Sequence, residues 1–438
     1  MKYISTSGRF TADLHGAVTN CIAPDGTLYL PERLRLIPQA LFNNIEAMSL
    51  KEIAYVVATA LLGDDISPAD LKKVVDDTFI YSIPFKNLRK GVEVMELFEG
   101  PTLAFKDFSA QFLANLVKYD KSVALPRVAI AATTGNTGAA VANAFARHRD
   151  RRVIILYPHH ALSPSQIAQF TTLGANVHPV EVSGDIGKCK LMVRDAIADE
   201  SLRPMMKLIS ANTSNFLRIV PQVALFFYAY SRLKAKYGRE ADGFSPSIPC
   251  GNLSSLTSAI IAKRLGLPMG KIIAGCNAND DLVRVLSGEL TPQKVNISSR
   301  ATLAKAMDSG YPTNLSRVLT LYGRDIERVK KDVAAFSASD AEIEEIIKRY
   351  SESGYLADPH TAAALSALEK SGTSENGHAV VFATAHPAKS LDTMTSITGR
   401  SIDLPLQLTR FMTRGVAPTK MPPSYQALRK YLLNTINS

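Results

Sequence analysis

The chain has no apolar run long enough to cross a bilayer; its longest, such as Val220 to Ala229, are too short and too interrupted. Its start, MKYISTSGRF, has no apolar stretch leading to a small-residue cleavage site, so no secretory signal is expected. Cysteine is scarce: Cys21, Cys189, Cys250 and Cys276 are scattered and form no CxxC pair. That argues against a zinc site and a disulfide framework, leaves no metal expected, and fits a reducing, cytoplasmic setting. The glycine loops lack the GxGxxG spacing of a dinucleotide site and the GK[ST] ending of a nucleotide P-loop. The net charge is +10, yet the basic residues are dispersed. The densest groups, Arg147 to Arg152 and the pair Lys348 and Arg349, read as solvated helix ends. Without a basic stripe interleaved with aromatics, no nucleic-acid partner is expected, and a small anionic substrate remains open.

What is present is an ordinary globular balance: 438 residues, 46% hydrophobic and 21% charged, enough for two or three domains. Residues 1–85 read as a mostly helical segment, with LKEIAYVVATALLG and then SPADLKKVVDD, where Ser67 and Pro68 mark a helix start. From VEVMELF onward, strand, loop and helix alternate with short links. RVAIAAT, VIILYP and NVHPVEV read as strands, and SPSQIAQFTTLG as a helix opened by a Ser163–Gln166 capping box. This rhythm predicts an α/β fold of two doubly wound lobes. The first lobe is expected over 86–235 and the second over 236–400, with the polar stretch Lys234 to Pro246 between them. A helical extension is expected over 401–438. Ligands of such sheets sit beyond the carboxyl ends of the strands, so the loops there matter most.

The most telling stretch is PTLAFKDFSAQFLANL, which opens a helix on Lys106 between Phe105 and Phe108. Desolvation disfavours an ammonium and lowers its pKa, which suits a Schiff-base lysine, although many lysines merely bury their stem. Four loops surround the argument. ATTGNTG, Ala132 to Gly138, can bare amides and hydroxyls to a carboxylate, or be a plain turn. CGNLSSLT, Cys250 to Thr257, can cradle a phosphate at a helix N-terminus, or simply cap that helix. SANTSNFLR places Asn212, Thr213, Asn215 and Arg218 before an apolar helix, as anion ligands or as a cap with a surface arginine. ATAHPAK offers Thr384 at a strand end and His386, an acid/base or a structural residue. One candidate lysine, two or more anion cradles and no metal cluster are what a pyridoxal phosphate (PLP) enzyme needs for an anionic amino acid.

Through GPTLAFKDF, TTGNTGAAVA, NTSNFLR, GNLSSLT, AMDSGYPTN, DPHTA and TAHPAK, the chain resembles the threonine synthase family over nearly its whole length. That is a PLP enzyme family of the tryptophan-synthase-β fold type, fold type II, with PLP between two lobes. The resemblance implies that Lys106 is the catalytic, PLP-bearing lysine, that Gly251, Asn252, Leu253, Ser254 and Ser255 bind the PLP phosphate, that Thr384 faces the pyridine nitrogen, and that Asn136 lies near the ring oxygen. It implies that Thr133, Thr134 and Thr137 line the substrate carboxylate, and that Asn212, Thr213, Asn215 and Arg218 help bind the substrate phosphate. The implied reaction is the last step of threonine biosynthesis, O-phospho-L-homoserine and water to L-threonine and phosphate by γ-elimination and β-addition. The protein is then a soluble monomer or homodimer acting on a small molecule. Another PLP lyase, such as a threonine or serine dehydratase, and a non-catalytic PLP-binding relative are the alternatives. Relatives read GNFGD where this chain reads Gly251-Asn252-Leu253-Ser254-Ser255. Ser254 therefore stands where glycine's positive φ is expected. His159 and His160 replace the basic residue that relatives often carry after LYP.

Overall fold

Short β-branched runs flanked by small residues become strands, and the amphipathic stretches between them become the covering helices. The computed structural model describes residues 1–118, 125–295, 298–373, 377–411 and 415–437. The N-terminal segment is built around helices Leu50–Leu62 and Pro68–Thr78, opened by Ser49 and Ser67 caps. It also contains a small antiparallel sheet that helical periodicity did not announce: β1 (Tyr3–Ser5) lies between β2 (Thr11–Ala12) and β3 (Tyr29–Pro31). These strands are two or three residues long, too short for an alternating pattern to stand out.

The remaining strands, in chain order, are β4 (Phe85–Arg89), β5 (Val92–Glu96), β6 (Arg127–Ala132), β7 (Arg151–Pro158), β8 (Val177–Val182), β9 (Lys207–Ser210), β10 (Ser245–Pro249), β11 (Ile272–Cys276), β12 (Val333–Ser337), β13 (Ala379–Ala383) and β14 (Thr419–Met421). They form two sheets, one in the order β14-β8-β7-β6-β9 and one in the order β12-β11-β10-β13-β5-β4. The first is parallel throughout, and the second is parallel except for its edge, where β4 runs antiparallel to β5. The residues of β6, β7 and β10 are almost all buried, as strands covered by helices on both faces must be.

Sheet membership departs from chain order at two places. The lobe expected over 86–235 begins with strands that pair in the other sheet, β5 lying beside β13 with Val381 opposite Val94. The extension over 401–438 is not purely helical: β14 adds a parallel edge strand to β8 before the final helix, Tyr425–Asn437. A strand's own residues say that it wants a partner; they do not say which of two sheets offers the free edge.

The helix Val220–Tyr237 is buried along most of its length and packs on helices Leu50–Leu62, Ser254–Arg264 and Lys106–Val117. At the carboxyl ends of β6, β9, β10 and β13 lie the four loops singled out above, where open parallel sheets hold their ligands.

Candidate active site

Lys106 is the first residue of the helix Lys106–Val117. The turn before it is tightly specified. Asp107 accepts from the Thr102 amide at 2.9 Å and from its hydroxyl at 2.5 Å. A Cβ on Gly100 would stand 2.4 Å from Asp107 Oδ2, so only glycine fits there. Leu103 holds a left-handed φ of 54°, a conformation a leucine adopts only when its surroundings impose it. The imposing contact is a short antiparallel clip. Phe105 N–H donates to the Thr384 carbonyl at 2.9 Å and His386 N–H to the Leu103 carbonyl at 3.1 Å, with Ala104 bridged to Ala385. Residues far apart in the chain thus bring Lys106 beside Thr384.

Lys106 is half-buried, with its Nζ 5.2 Å from the centroid of Phe105, and it has no hydrogen bond or ion pair among the described residues. Burial, then the charges of Arg218 and Lys190, push its pKa down to about 8. Phe108 is buried and packs against Phe79 and Tyr81 at 5.8 and 5.7 Å. It sets the helix, while Phe105 sets the amine.

The hydrogen bonds sort the expected residues into two groups. Thr133 is consumed internally: its hydroxyl accepts from Gly135 N–H at 2.9 Å and Gly138 N–H at 2.8 Å. It shapes the loop instead of offering itself to a ligand. Asn212 pairs with the Ala132 backbone, donating at 2.8 Å and accepting at 2.9 Å, which locks its loop to β6. Asn215 is fully buried; it donates to Val18 O and Ser210 O and accepts from Leu217 N–H. Its carboxamide is spent on backbone. By contrast, the side chains of Thr134, Asn136, Thr137 and Thr384 make no hydrogen bond among the described residues. Thr384 and Asn136 are nonetheless buried. Their polar groups are left available to a ligand.

The loop after β10 corrects one expectation. The left-handed residue is Leu253, at φ 59° and ψ 18°, not Ser254. Ser254 is the first residue of the helix Ser254–Arg264, where a serine costs nothing unusual. The Ser254 and Ser255 amides have no acceptor among the described residues, and neither do their hydroxyls as donors. Gly251 is required by close approach: a Cβ would lie 2.6 Å from Met307 Cα and 2.8 Å from its carbonyl oxygen. Asn252 ties the cradle together, donating to Thr213 Oγ1 at 3.0 Å and accepting from Thr313 N–H at 2.8 Å. Open helix-start amides and hydroxyls are what a phosphate monoester needs, and Thr384 leaves a hydroxyl for a ring nitrogen. The residues present therefore fit PLP.

Arg218 is buried, with Nε donating to Ser109 Oγ at 3.0 Å and Nη1 to Ala211 O at 2.5 Å. Burial pulls its pKa down to about 9, opposed by the charge of Asp107. Asp107 is itself held up at about 6, chiefly by burial.

Several residues of the site carry no local signal in the sequence. Lys190 donates to Ser309 Oγ at 2.7 Å from the helix Ile186–Ala198. Arg317, fully buried, donates to Tyr29 O at 3.0 Å, Ser214 O at 2.7 Å and Asn314 Oδ1 at 2.8 Å, and also to Thr213 O. Asn314 in turn donates to Thr213 Oγ1 at 3.1 Å and Asn252 O at 2.9 Å. Lys389 donates to Thr102 O and Gln169 Oε1, both at 2.6 Å. Two motifs touched this set without assigning it a role: AMDSGYPTN through Asn314 and ATAHPAK through Lys389. The histidines fall elsewhere. His386 caps its own turn, accepting from Ala388 N–H at 3.1 Å, and burial lowers its pKa. His159 is exposed and lies 3.0 Å from Glu181, with its ring against His160.

The family described as "Pyridoxal-phosphate dependent enzyme" matches residues 86–385, and the one described as "Threonine synthase N terminus" matches residues 2–79. The chain is 33% identical over 425 residues to the threonine synthase of Escherichia coli, covering 95% of this chain and 96% of that one. The chain belongs to the threonine synthase family. It is thus a PLP-dependent enzyme. The threonine synthase of Haemophilus influenzae is 35% identical over 427 residues, covering 96% of each chain. Among solved structures, threonine synthase from Escherichia coli matches with a TM-score of 0.92 at 31% identity, over 99% of this chain and 100% of that one. A PLP-bound threonine synthase from Brucella melitensis matches at 0.86 and 28%, over 100% of both chains. Maize serine racemase, at 17% identity and a TM-score of 0.52 over 75% of this chain and 96% of that one, shares the fold alone.

Proposed function

We propose that the chain converts O-phospho-L-homoserine and water to L-threonine and phosphate, with Lys106 as cofactor anchor and general base. The observation that carries this reading is a desolvated, unpaired amine at Lys106 beside Thr384, whose hydroxyl makes no hydrogen bond among the described residues. Bound PLP supplies the sink for negative charge developing on the substrate carbon chain. Ser254 and Ser255 hold its phosphate through their amides and hydroxyls, with Asn252 and Gly251 shaping the cradle. Thr384 would offer the ring nitrogen a neutral hydroxyl in place of a carboxylate, and Asn136 would be available to the ring oxygen.

Lys106, released as a free amine, takes a proton from Cα and then one from Cβ. Thr134 and Thr137 hold the substrate carboxylate at the start of their helix, and Thr133 keeps their loop in shape. Arg218 and Thr213 hold the phosphate that leaves Cγ, while Asn212 and Asn215 fix the loop that carries them. The two protons taken by Lys106 return to Cγ and to Cα, and water adds its hydroxyl at Cβ while its own proton leaves with the phosphate. Within the fold type II class, the enzyme works in the cytoplasm on a small molecule, without nucleic acid, as a monomer or homodimer; four buried free thiols are in keeping with a reducing compartment. No feature of the site favours a dehydratase or a non-catalytic binder.

Lys106→Ala should abolish both the visible absorbance of bound cofactor and phosphate release, with far-UV circular dichroism unchanged. Phosphate release at wild-type rate in that variant would remove Lys106 from the mechanism.

A further inference from the structure

Lys190 has no assigned task, yet its surroundings suit a ligand better than a strut. It stands on the helix Ile186–Ala198, and its Nζ donates to Ser309 Oγ at 2.7 Å and to Gly310 O at 3.3 Å, with Asn252 Oδ1 at 3.5 Å. No carboxylate lies within ion-pair distance of it among the described residues. Lys389 makes the contrast. That ammonium is also desolvated, but two short bonds to Thr102 O and Gln169 Oε1 engage it, and the charge of Asp107 supports it. Lys190 has only one strong bond, to a hydroxyl that can turn round and donate instead.

The space beside it points the same way. A cavity of about 220 Å³ is lined on its polar side by Lys190, Arg194, Asn212, Ser214, Asn252 and Thr313, and no aspartate or glutamate lines it. Arg194 at the rim is paired with Asp195 at 2.9 Å, so the cation left without a counter-charge here is Lys190, and an unbalanced ammonium among hydroxyls and carboxamides is chemistry that recognises phosphate. Asn212 and Asn252 also line the cavity, and both belong to loops expected at the active site.

We infer that Lys190 is a phosphate-monoester-binding residue of this site, holding the phosphate of the substrate in the cavity beside Asn252. On binding, the ammonium exchanges the Gly310 carbonyl for a phosphate oxygen, and Ser309 turns its hydroxyl to donate to the same group. This rests on the proposed reaction, because the substrate phosphate comes from that reading. The cofactor carries the same chemistry, and the two sources are separable.

The experiment uses wild-type holoenzyme with Lys190→Gln, Lys190→Met and Lys190→Arg. Inorganic phosphate is titrated calorimetrically, KM is measured for O-phospho-L-homoserine, and PLP affinity is measured by dialysis. Loss of one charge-assisted bond should weaken phosphate binding and raise KM on the order of 10- to 100-fold in the Gln and Met variants. Lys190→Arg should stay within a few-fold of wild type, and PLP affinity should not move. Unchanged phosphate binding and KM in a folded Gln or Met variant overturn the inference. So does a loss confined to PLP affinity, which would give Lys190 to the cofactor's phosphate. If wild-type enzyme released no phosphate from the substrate, the parent reading would fail, while the titration would still decide Lys190.

Discussion

Leu253 occupies a backbone position that glycine would take more cheaply, at φ 59°. Its side chain is 2% exposed and belongs to the main apolar core. Two effects therefore compete in Leu253→Gly. Relief of the left-handed conformation is worth about 1 to 2 kcal/mol, while removal of a fully buried leucine costs about 3 to 5 kcal/mol. Burial wins, so the variant should be destabilised by roughly 2 to 3 kcal/mol in urea unfolding. A more stable variant would mean that the strain, not the packing, dominates this turn. The sequence pointed to Ser254 as the uncomfortable residue because glycine is the usual sign of positive φ. A leucine in that conformation leaves no such sign.

Lys106 gives the second prediction at this scale. Cofactor capture needs the neutral amine. A pKa lowered to about 8 leaves roughly a tenth of the amines neutral at pH 7, against about one in three thousand for an ordinary lysine. The sign follows from the base form: capture by the cofactor-free enzyme should speed up about tenfold per pH unit up to about pH 8, then level off. Stopped-flow absorbance checks it, and a rate still climbing tenfold per unit beyond pH 9 would show an unperturbed lysine.

Among the elements, the loop from Ala211 to Asn215 depends on Arg317 more than on its own residues. Arg317 is fully buried and reaches the carbonyls of Tyr29, Thr213 and Ser214 together with Asn314 Oδ1. Among the described residues it has no carboxylate partner, and burial lowers its pKa to about 9. Arg317→Met removes a desolvated charge, which helps, and strands several buried carbonyls, which costs more. Charge-assisted bonds are worth about 1.5 to 3 kcal/mol each, so a net loss of roughly 3 kcal/mol is expected, with a raised KM because Thr213 loses its support. A loss below about 1 kcal/mol with unchanged KM would show that the loop holds itself. The elements themselves were largely legible. The capping box at Ser163–Gln166 and the helix start at Ser67 stand as their residues imply, since a cap is a local interaction. Arg317 was not legible, because an arginine in LSRVLTL looks like any solvated one until a distant loop closes over it.

For the whole molecule, the α/β alternation was readable because each strand–loop–helix unit is local. The assignment of β5 to the β13 edge and of β14 to the β8 edge was not, because edges are offered by the assembled sheet. The site shows the same division. Lys106, Thr384 and the glycine loops announced themselves through composition. The sorting of Thr133, Asn212 and Asn215 into supports, and of Thr134, Asn136 and Thr137 into residues with free groups, needed the hydrogen bonds of the folded chain. Lys190 and Lys389, similar in sequence, separate only through what surrounds their ammonium groups.

The central claim is a complete reaction, so the most direct measurement is its stoichiometry. Purified enzyme with PLP is given O-phospho-L-homoserine, and phosphate, L-threonine, ammonia and 2-oxo acid are measured together. One L-threonine for each phosphate, with no ammonia or 2-oxo acid, is the expected result. Phosphate accompanied by ammonia and a 2-oxo acid, or no phosphate at all, would contradict it.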